Sequence, residues 1–223
     1  MTTKPEVIYI GDPMCSWCWG MAPVIERIAR RRDVDFRIVV GGLRPGPAAQ
    51  ILDDDLRGVL AHHWEQVAGT TGQPFAPASL ERENWTYDTE MPARAVVTMR
   101  HLQPENELGL FTHIQRAFYA DGVDITDAAA YPALIDAFDV DESDFMRMLV
   151  SEEARTAAWN DFATARELGA TGFPTVLLRI EGTLQVLSRG YAGADYFDSV
   201  LAQWVEGVQA VSANGACSID APC

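Results

Sequence analysis

Basic residues are scarce in this sequence. The 223-residue chain has 17 Lys and Arg against 32 Asp and Glu, which gives a formal net charge of −15, and Lys4 is its single lysine. Binding to nucleic acid or to an anionic membrane surface needs clustered Lys and Arg side chains that neutralise phosphates. The composition therefore argues against nucleic acid and membranes as partners.

Long hydrophobic runs are also lacking. No apolar stretch approaches the roughly 20 residues that a membrane-spanning helix needs. The first six residues contain one basic side chain and no extended apolar region, unlike a secretory signal. The hydrophobic fraction of 48% and the charged fraction of 22% are those of an ordinary globular protein. We expect a cytoplasmic protein.

Cysteines are few, and they come in two pairs. Cys15 and Cys18 lie within the stretch GDPMCSWCWGM, and Cys217 and Cys223 lie at the end of the chain. In a reducing compartment, closely spaced cysteines are more often redox or metal-binding groups than structural disulfides. The pattern thus leaves thiol redox chemistry and metal binding as the two functional interpretations.

Hydrophobic periodicity predicts two parts of an α/β structure separated by a helical block. At the start, strand, helix and strand within about 35 residues favour a parallel βαβ unit, and at the end two strands and a helix follow one another. The predicted elements are strand 7–10, helix 15–32, strand 35–40, a largely helical segment 44–169, strands 175–180 and 183–187, and helix 195–208. The two ends, 1–43 and 170–210, should form one sheet domain, with 44–169 as an all-helical insertion and 211–223 as a flexible tail.

The position of Cys15 favours redox chemistry. It sits where a strand passes into a helix, and at a helix N-terminus free backbone N–H groups and the macrodipole stabilise an anion. A lowered thiol pKa is characteristic of Cys-x-x-Cys groups at such positions. We expect Cys15 to be an exposed nucleophile and Cys18, one turn further on, to be a more buried resolving thiol.

Zinc binding is the alternative for these thiols. A structural zinc site needs four ligands, and the candidate second pair is Cys217 and Cys223, about 200 residues away. That tail pair has two interpretations of its own. It is either a second redox pair that exchanges electrons with Cys15 and Cys18, or two exposed thiols without a role.

Three motifs carry a resemblance to a known family. DPMCSWCWGMAP after a strand, VVGGLRPG after the second strand and TGFPT before the third resemble the DsbA-like branch of the thioredoxin superfamily. The sequence is most similar to its cytosolic FrnE-like members, which are described as predicted dithiol–disulfide isomerases. The resemblance covers residues 6–208 and implies a thioredoxin-like fold with a helical insertion.

The resemblance also implies roles for individual residues. Cys15 would be the nucleophile, Cys18 the resolving thiol, and Pro174 the cis-proline that packs beside them. Pro174 would turn the backbone of Phe173 outward to pair with a peptide substrate. We expect Trp17, between the cysteines, to be exposed and to contribute to substrate binding.

The implied partners are polypeptides that contain disulfides or dithiols, and the redox-active disulfide Cys15–Cys18 takes the place of a cofactor. Glutathione or another cellular thiol system would supply or remove electrons. Relatives of the same fold include glutathione-dependent isomerases and transferases of small molecules, which form an alternative function. One departure is Tyr9, at the position six residues before the first cysteine where the superfamily often has an acidic residue.

Overall fold

The computed structural model describes residues 4–205, without the side chain of Val205. The elements are β1 Glu6–Gly11, α1 Ser16–Ala29, β2 Asp35–Val40, β3 Gln50–Ile51, α2 Asp54–Thr71, β4 Thr86–Tyr87, α3 Glu90–Leu102, α4 Glu107–Tyr119, α5 Tyr131–Ile135, α6 Glu142–Leu149, α7 Glu152–Glu167, β5 Thr175–Ile180, β6 Thr183–Arg189 and α8 Ala194–Val205. A four-stranded sheet has the order β2-β1-β5-β6, with β1 parallel to β2 and antiparallel to β5. The α/β class and the thioredoxin-like sheet interrupted by helices are confirmed.

Strand β1 lies inside the sheet and is buried on both faces. Val7 and Tyr9 belong to the large core that contains α1, whereas Ile8 and Ile10 pack with Val39 in a smaller core on the other face. A strand covered on both sides needs a continuous apolar run rather than an alternating pattern, which explains the sequence VIYI. The site that follows β1 therefore stands on a rigid central strand.

Helix α1 begins directly after Cys15, which is its N-cap residue. Its buried residues include Cys18, Met21, Ile25 and Ile28, as the helical spacing predicts. The helix continues through Pro23 and ends at Ala29, three residues before the predicted end at 32. Its apolar face stops at Ile28, so the arginines that follow have no core to cover.

The insertion contains six helices, α2 to α7, within the described part of the chain. Asp53 and Asp141 cap α2 and α6 by accepting backbone N–H groups, as acidic residues at helix starts commonly do. A short antiparallel pair, β3 with β4, was not expected from the sequence. Two-residue strands carry no periodicity, so pattern analysis has no signal for them.

The chain returns to the sheet as the hairpin β5–β6. Glu181 and Gly182 form its turn with φ of 48° and 82°, which matches the predicted two-residue hairpin. The predicted last helix extends to residue 208 and the predicted sheet domain to residue 210, so both continue beyond the described residues. The tail with Cys217 and Cys223 also lies outside them. Within 4–205, no helix combines the length and the apolar character that crossing a membrane requires.

Candidate active site

The two thiols lie at the junction of β1 and α1, and both are free in this structure. The backbone N–H of Cys15 donates to the carbonyl of Asp12 at 3.0 Å, which closes the turn before the helix. Cys18 is fully buried, as expected of the inner thiol, but Cys15 is only 5% exposed. The expectation of an exposed Cys15 is therefore wrong, because a loop from the far end of the chain covers it.

The covering loop is formed by Phe173 and Pro174, whose peptide bond is cis. The Cys15 thiol donates to the carbonyl oxygen of Phe173 with an Sγ–O distance of 3.3 Å. Pro174 is buried and Phe173 is half-buried. The fold thus brings Cys15, Cys18, Phe173 and Pro174 together across a separation of 158 residues.

The Phe173 ring lies against Gly41, the residue that follows β2. A Cβ atom on Gly41 would lie 2.4 Å from two ring carbons of Phe173, closer than carbon atoms can pack. The N–H of Gly41 also donates to the carbonyl of Gly11 at 2.6 Å, so the backbone there has little freedom to move. Glycine at position 41 is required for the ring to lie against the strand.

We predict that Gly41→Ala displaces Phe173 and weakens the cover on Cys15. The expected cost is about 1–3 kcal/mol in the free energy of unfolding, as for other overpacked sites, with faster alkylation of Cys15 by iodoacetamide. Gly58→Ala is the matched control, since a Cβ there meets no atom within 4 Å. Equal alkylation rates in wild type and Gly41→Ala would contradict the prediction.

Trp17 is half-buried rather than exposed. Its ring packs against Tyr191, which follows β6, with 5.9 Å between the ring centroids. Trp19 and Met21 belong to the buried core and do not contribute surface beside the thiols. Trp17 and Tyr191 therefore form a half-buried aromatic pair at the start of α1, and the sequence indicated one member of it.

The pKa of the Cys15 thiol is raised, not lowered as predicted from its helix position. Its hydrogen bond with the Cys18 thiol, its burial and the negative charges of Cys18 and Asp12 all raise the pKa, while the backbone N–H of Cys18 lowers it. The carbonyl of Phe173 accepts a hydrogen bond that only the protonated thiol can donate, which also favours the thiol over the thiolate. The helix N-terminus is present, but these neighbours outweigh it in the reduced, closed site.

Asp12 is a fully buried carboxyl group in the turn before Cys15. Its two oxygens accept the N–H groups of Met14 at 2.8 Å and of Leu43 at 2.9 Å. Burial raises the pKa of Asp12 to about 7, against the lowering effect of these hydrogen bonds. Asp12 thus joins the cysteine turn to the loop after β2 and titrates near neutral pH.

Sequence reasoning missed the support that the insertion gives to this turn. The Tyr87 hydroxyl donates to the carbonyl of Met14, and the Arg44 guanidinium lies 5.3 Å from the centre of the Tyr87 ring. The Thr89 hydroxyl accepts the N–H of Arg44 at 3.1 Å. Tyr87 and Thr89 belong to no motif and are about 70 residues from the cysteines, so a single sequence offers no signal for them.

A metal site was the competing interpretation of the cysteines. Among residues 4–205, no group of three or more His, Cys, Asp or Glu side chains is placed to hold a metal ion. The second cysteine pair lies outside this range. The described groups around the thiols are a carboxyl group, phenols and a backbone carbonyl.

A dithiol at the start of a helix, beside a loop with a cis X-Pro bond, is the arrangement of a thioredoxin-type redox centre. Residues 6–202 match the model of the DSBA-like thioredoxin domain, and the chain belongs to this family. The family is one of thiol–disulfide oxidoreductases.

Solved structures agree with this assignment. A protein of Nitrosomonas europaea, described as a candidate protein disulfide isomerase, is 33% identical with a TM-score of 0.84, and the match covers 93% of this chain and 100% of that one. The cytosolic disulfide reductase DsbM of Pseudomonas aeruginosa is 26% identical with a TM-score of 0.78, over 90% of this chain and 98% of that one. DsbM was also solved with GSH, glutathione.

A curated relative is the ClpXP adapter protein SpxH of Bacillus subtilis. It is 22% identical over 175 residues, which are 78% of this chain. The match spans 58% of the length of that relative.

Proposed function

We propose that this protein is a cytoplasmic thiol–disulfide oxidoreductase that reduces or rearranges disulfides of polypeptides through Cys15 and Cys18. The observation that carries the proposal is the contact between the Cys15 thiol and the Phe173 carbonyl, beside a fully buried Cys18. One thiol faces the cover loop, which a substrate can displace, and the other lies behind it. The names of the Nitrosomonas protein, a candidate disulfide isomerase, and of DsbM, a disulfide reductase, also support this function.

The reaction proceeds by two exchanges. The thiolate of Cys15 attacks one sulfur of the substrate disulfide, which forms a mixed disulfide and releases the other substrate sulfur as a thiol. Cys18 then attacks Cys15, which forms the Cys15–Cys18 disulfide and releases the second substrate thiol. The substrate gains two electrons and two protons, and the protein loses them.

Access to Cys15 requires that its hydrogen bond to Phe173 is broken. A substrate strand that pairs with the backbone of this loop would replace that contact, and the Trp17–Tyr191 pair would offer apolar surface for the side chains. A thiol whose pKa is raised in the closed site is protected from adventitious oxidation. Substrate binding would therefore both open the site and favour the reactive thiolate.

We predict that Cys18→Ser traps the mixed disulfide. The nucleophile remains, but the sulfur that releases the substrate is gone, so a covalent adduct should accumulate and turnover should fall by at least about a hundredfold. The measurement is mass spectrometry after mixing the reduced variant with a disulfide-bonded test protein such as scrambled ribonuclease. Cys15→Ser, the control, should form no adduct.

An absence of adducts with every disulfide tried would contradict the proposal. Stoichiometric zinc in protein purified without added metal, with thiols that react only after chelation, would favour a metal-binding module instead.

Glutathione is the proposed electron donor that returns the disulfide to the dithiol. The structure of DsbM with GSH favours it over an unspecified thiol. The test is reduction of the Cys15–Cys18 disulfide across a series of glutathione buffers. Glutathione-dependent turnover of a small electrophile that survives Cys18→Ser would instead support the small-molecule isomerase or transferase function.

A further inference from the structure

The four-stranded sheet has two edges, and the insertion blocks one of them. At β2, the N–H of Val40 donates to the Asp161 carboxylate at 2.9 Å, and the carbonyl of Ile38 accepts a hydrogen bond from Arg100 at 3.2 Å. Side chains therefore occupy backbone groups that another strand would need. Covering an edge in this way is how globular proteins prevent unwanted strand pairing.

The opposite edge, β6, is open. Within residues 4–205 it pairs with β5 alone. Its sequence, TLQVLSR, contains no proline, lysine or acidic residue, which are the residues that usually protect an exposed edge. Six large hydrophobic side chains are exposed in the described part of the chain, and three of them lie on or beside this strand, namely Leu184, Val186 and Tyr196.

Backbone groups of two residues face the open edge. Ile180 and Thr183 close a two-residue hairpin, so they exchange both of their hydrogen bonds. Along an antiparallel strand the direction of these groups alternates from one residue to the next. The N–H and carbonyl groups of Leu184 and Val186 therefore point away from β5 and offer donors and acceptors to a partner strand.

The open part of the edge is short. A bulge follows it at Leu187, whose carbonyl accepts a hydrogen bond from the Tyr196 hydroxyl at 2.6 Å. A partner that uses only residues 183–186 gains few backbone hydrogen bonds, so matching side chains must contribute to its affinity.

The charges at the two ends of the strand identify such a partner. Glu181 lies four residues before Gln185, and Arg189 lies four residues after it. Two copies of β6 that pair antiparallel about Gln185 bring the Glu181 end of each copy opposite the Arg189 end of the other. In the same register Leu184 of each copy faces Val186 of the other, which joins their outward backbone groups and their apolar side chains.

Both charged groups are available for this pairing. Glu181 and Arg189 are exposed, and neither forms an ion pair among the described residues. One nitrogen of Arg189 donates to the Gly169 carbonyl at 2.6 Å, which leaves its other N–H groups free for a carboxylate. Residues 182–188 carry no charge, so like charges do not meet along the edge.

We infer that β6 is a dimerisation edge, through which two copies of this chain pair antiparallel about Gln185 and form one continuous sheet. The Arg189 end of β6 adjoins the cis-proline loop, since the N–H of Gly190 donates to the Pro174 carbonyl at 2.7 Å. The antiparallel arrangement therefore places the two dithiols at opposite ends of the joined strands. Both remain accessible, and the inference does not depend on the proposed function.

Sedimentation velocity of the full chain across a concentration series tests the inference. We expect a monomer–dimer equilibrium with a dissociation constant in the micromolar range, because the interface is small. Val186→Pro removes an N–H that points to the edge and costs no bond to β5, so it should weaken the dimer at least about tenfold. Val186→Thr is the matched control, since it keeps both the N–H and the β-branched shape, and should dimerise.

Two charge variants test the register. Glu181→Lys and Arg189→Glu each place like charges opposite one another at both ends of the interface, so each alone should weaken the dimer about tenfold. An equimolar mixture of the two variants should form a heterodimer with the affinity of wild type, because both ends then join opposite charges. Structural damage in either variant would not be repaired by mixing.

A protein that stays monomeric up to about 1 mM would overturn the inference, and so would a dimer that tolerates both single charge variants. Hydrogen exchange adds a further check. Protected amides at Leu184 and Val186 in a protein that stays monomeric would assign the edge to the chain's own residues 206–223, which would overturn the inference as well.

Discussion

Replacement of Asp161 by alanine should destabilise the protein by about 1–3 kcal/mol, the usual cost of leaving buried hydrogen-bond donors without their acceptor. Asp161 lies on α7 and is 7% exposed. Its carboxylate accepts hydrogen bonds from two nitrogens of Arg100, at 3.0 and 2.7 Å, and from the backbone N–H of Val40, at 2.9 Å. One side chain thus joins two helices of the insertion to strand β2.

Both groups that donate to Asp161, the Arg100 side chain and the N–H of Val40, would lose their acceptor. Arg100 also donates to Glu107 at 2.7 Å and to the Ile38 carbonyl at 3.2 Å, so it would remain in place but lose its two hydrogen bonds to Asp161. The N–H of Val40 would have no acceptor at the end of β2, one residue before Gly41. We therefore expect a looser Phe173 loop as well as lower stability.

Urea unfolding followed by circular dichroism would measure this change. Arg147→Ala is the matched control, because its pair with Asp144 is largely exposed and should contribute less than about 1 kcal/mol. Asp161→Asn should fall between the two, since it keeps an acceptor for Val40. A loss below 1 kcal/mol in Asp161→Ala would show that the network does not hold the insertion to the sheet.

Asp12→Asn should increase the reactivity of Cys15 at neutral pH. The negative charge of Asp12 raises the pKa of Cys15, so a neutral amide of the same shape should lower it. We expect alkylation of Cys15 at pH 7.5 to become severalfold faster, with the pH midpoint of the reaction shifted downward. Stopped-flow alkylation from pH 5 to 10 would measure the midpoint.

The same substitution should change how stability depends on pH. The pKa of Asp12 is about 7 in the folded protein and near 3.8 when unfolded, so the folded state holds the proton more tightly. The resulting stability is complete below pH 4 and is lost as pH rises to about 7, with a total of several kcal/mol. In Asp12→Asn this decline should be absent, although one backbone N–H, of Met14 or Leu43, loses its acceptor.

Asp53→Asn is the control for both measurements. It removes one negative charge at an exposed helix N-cap, where asparagine caps as well as aspartate does. Its alkylation profile and its stability between pH 4 and 8 should match wild type. An Asp12→Asn profile that also matches wild type would contradict the electrostatic role of Asp12.

The sequence was sufficient for the sheet and for the position of the thiols because these depend on local patterns. VIYI marks a buried strand, Cys15 follows it at a helix start, and Glu181-Gly182 marks the hairpin. The predicted exposure of Cys15 and the predicted direction of its pKa shift were wrong, because both depend on contacts with residues elsewhere in the chain. Phe173 covers the sulfur, and the charge of a fully buried Asp12 acts on it.

The same distinction applies to the insertion. The caps at Asp53 and Asp141 are local contacts, each with the N–H of a residue three positions further on. By contrast, the hydrogen bond from Tyr87 to Met14 joins residues that are 73 positions apart. The limits of the predicted domains, at residues 43 and 170, remain predictions.

The contact between Cys15 and Phe173 has a consequence for synthesis on the ribosome. Contacts between residues that are far apart in sequence form late, because much of the chain must be ordered first. Strand β1, helix α1 and strand β2 emerge early, yet the loop that shields the sulfur is made 158 residues after it. During that interval Cys15 has no cover from Phe173, so the nascent chain passes through a period in which this thiol is accessible to cellular oxidants.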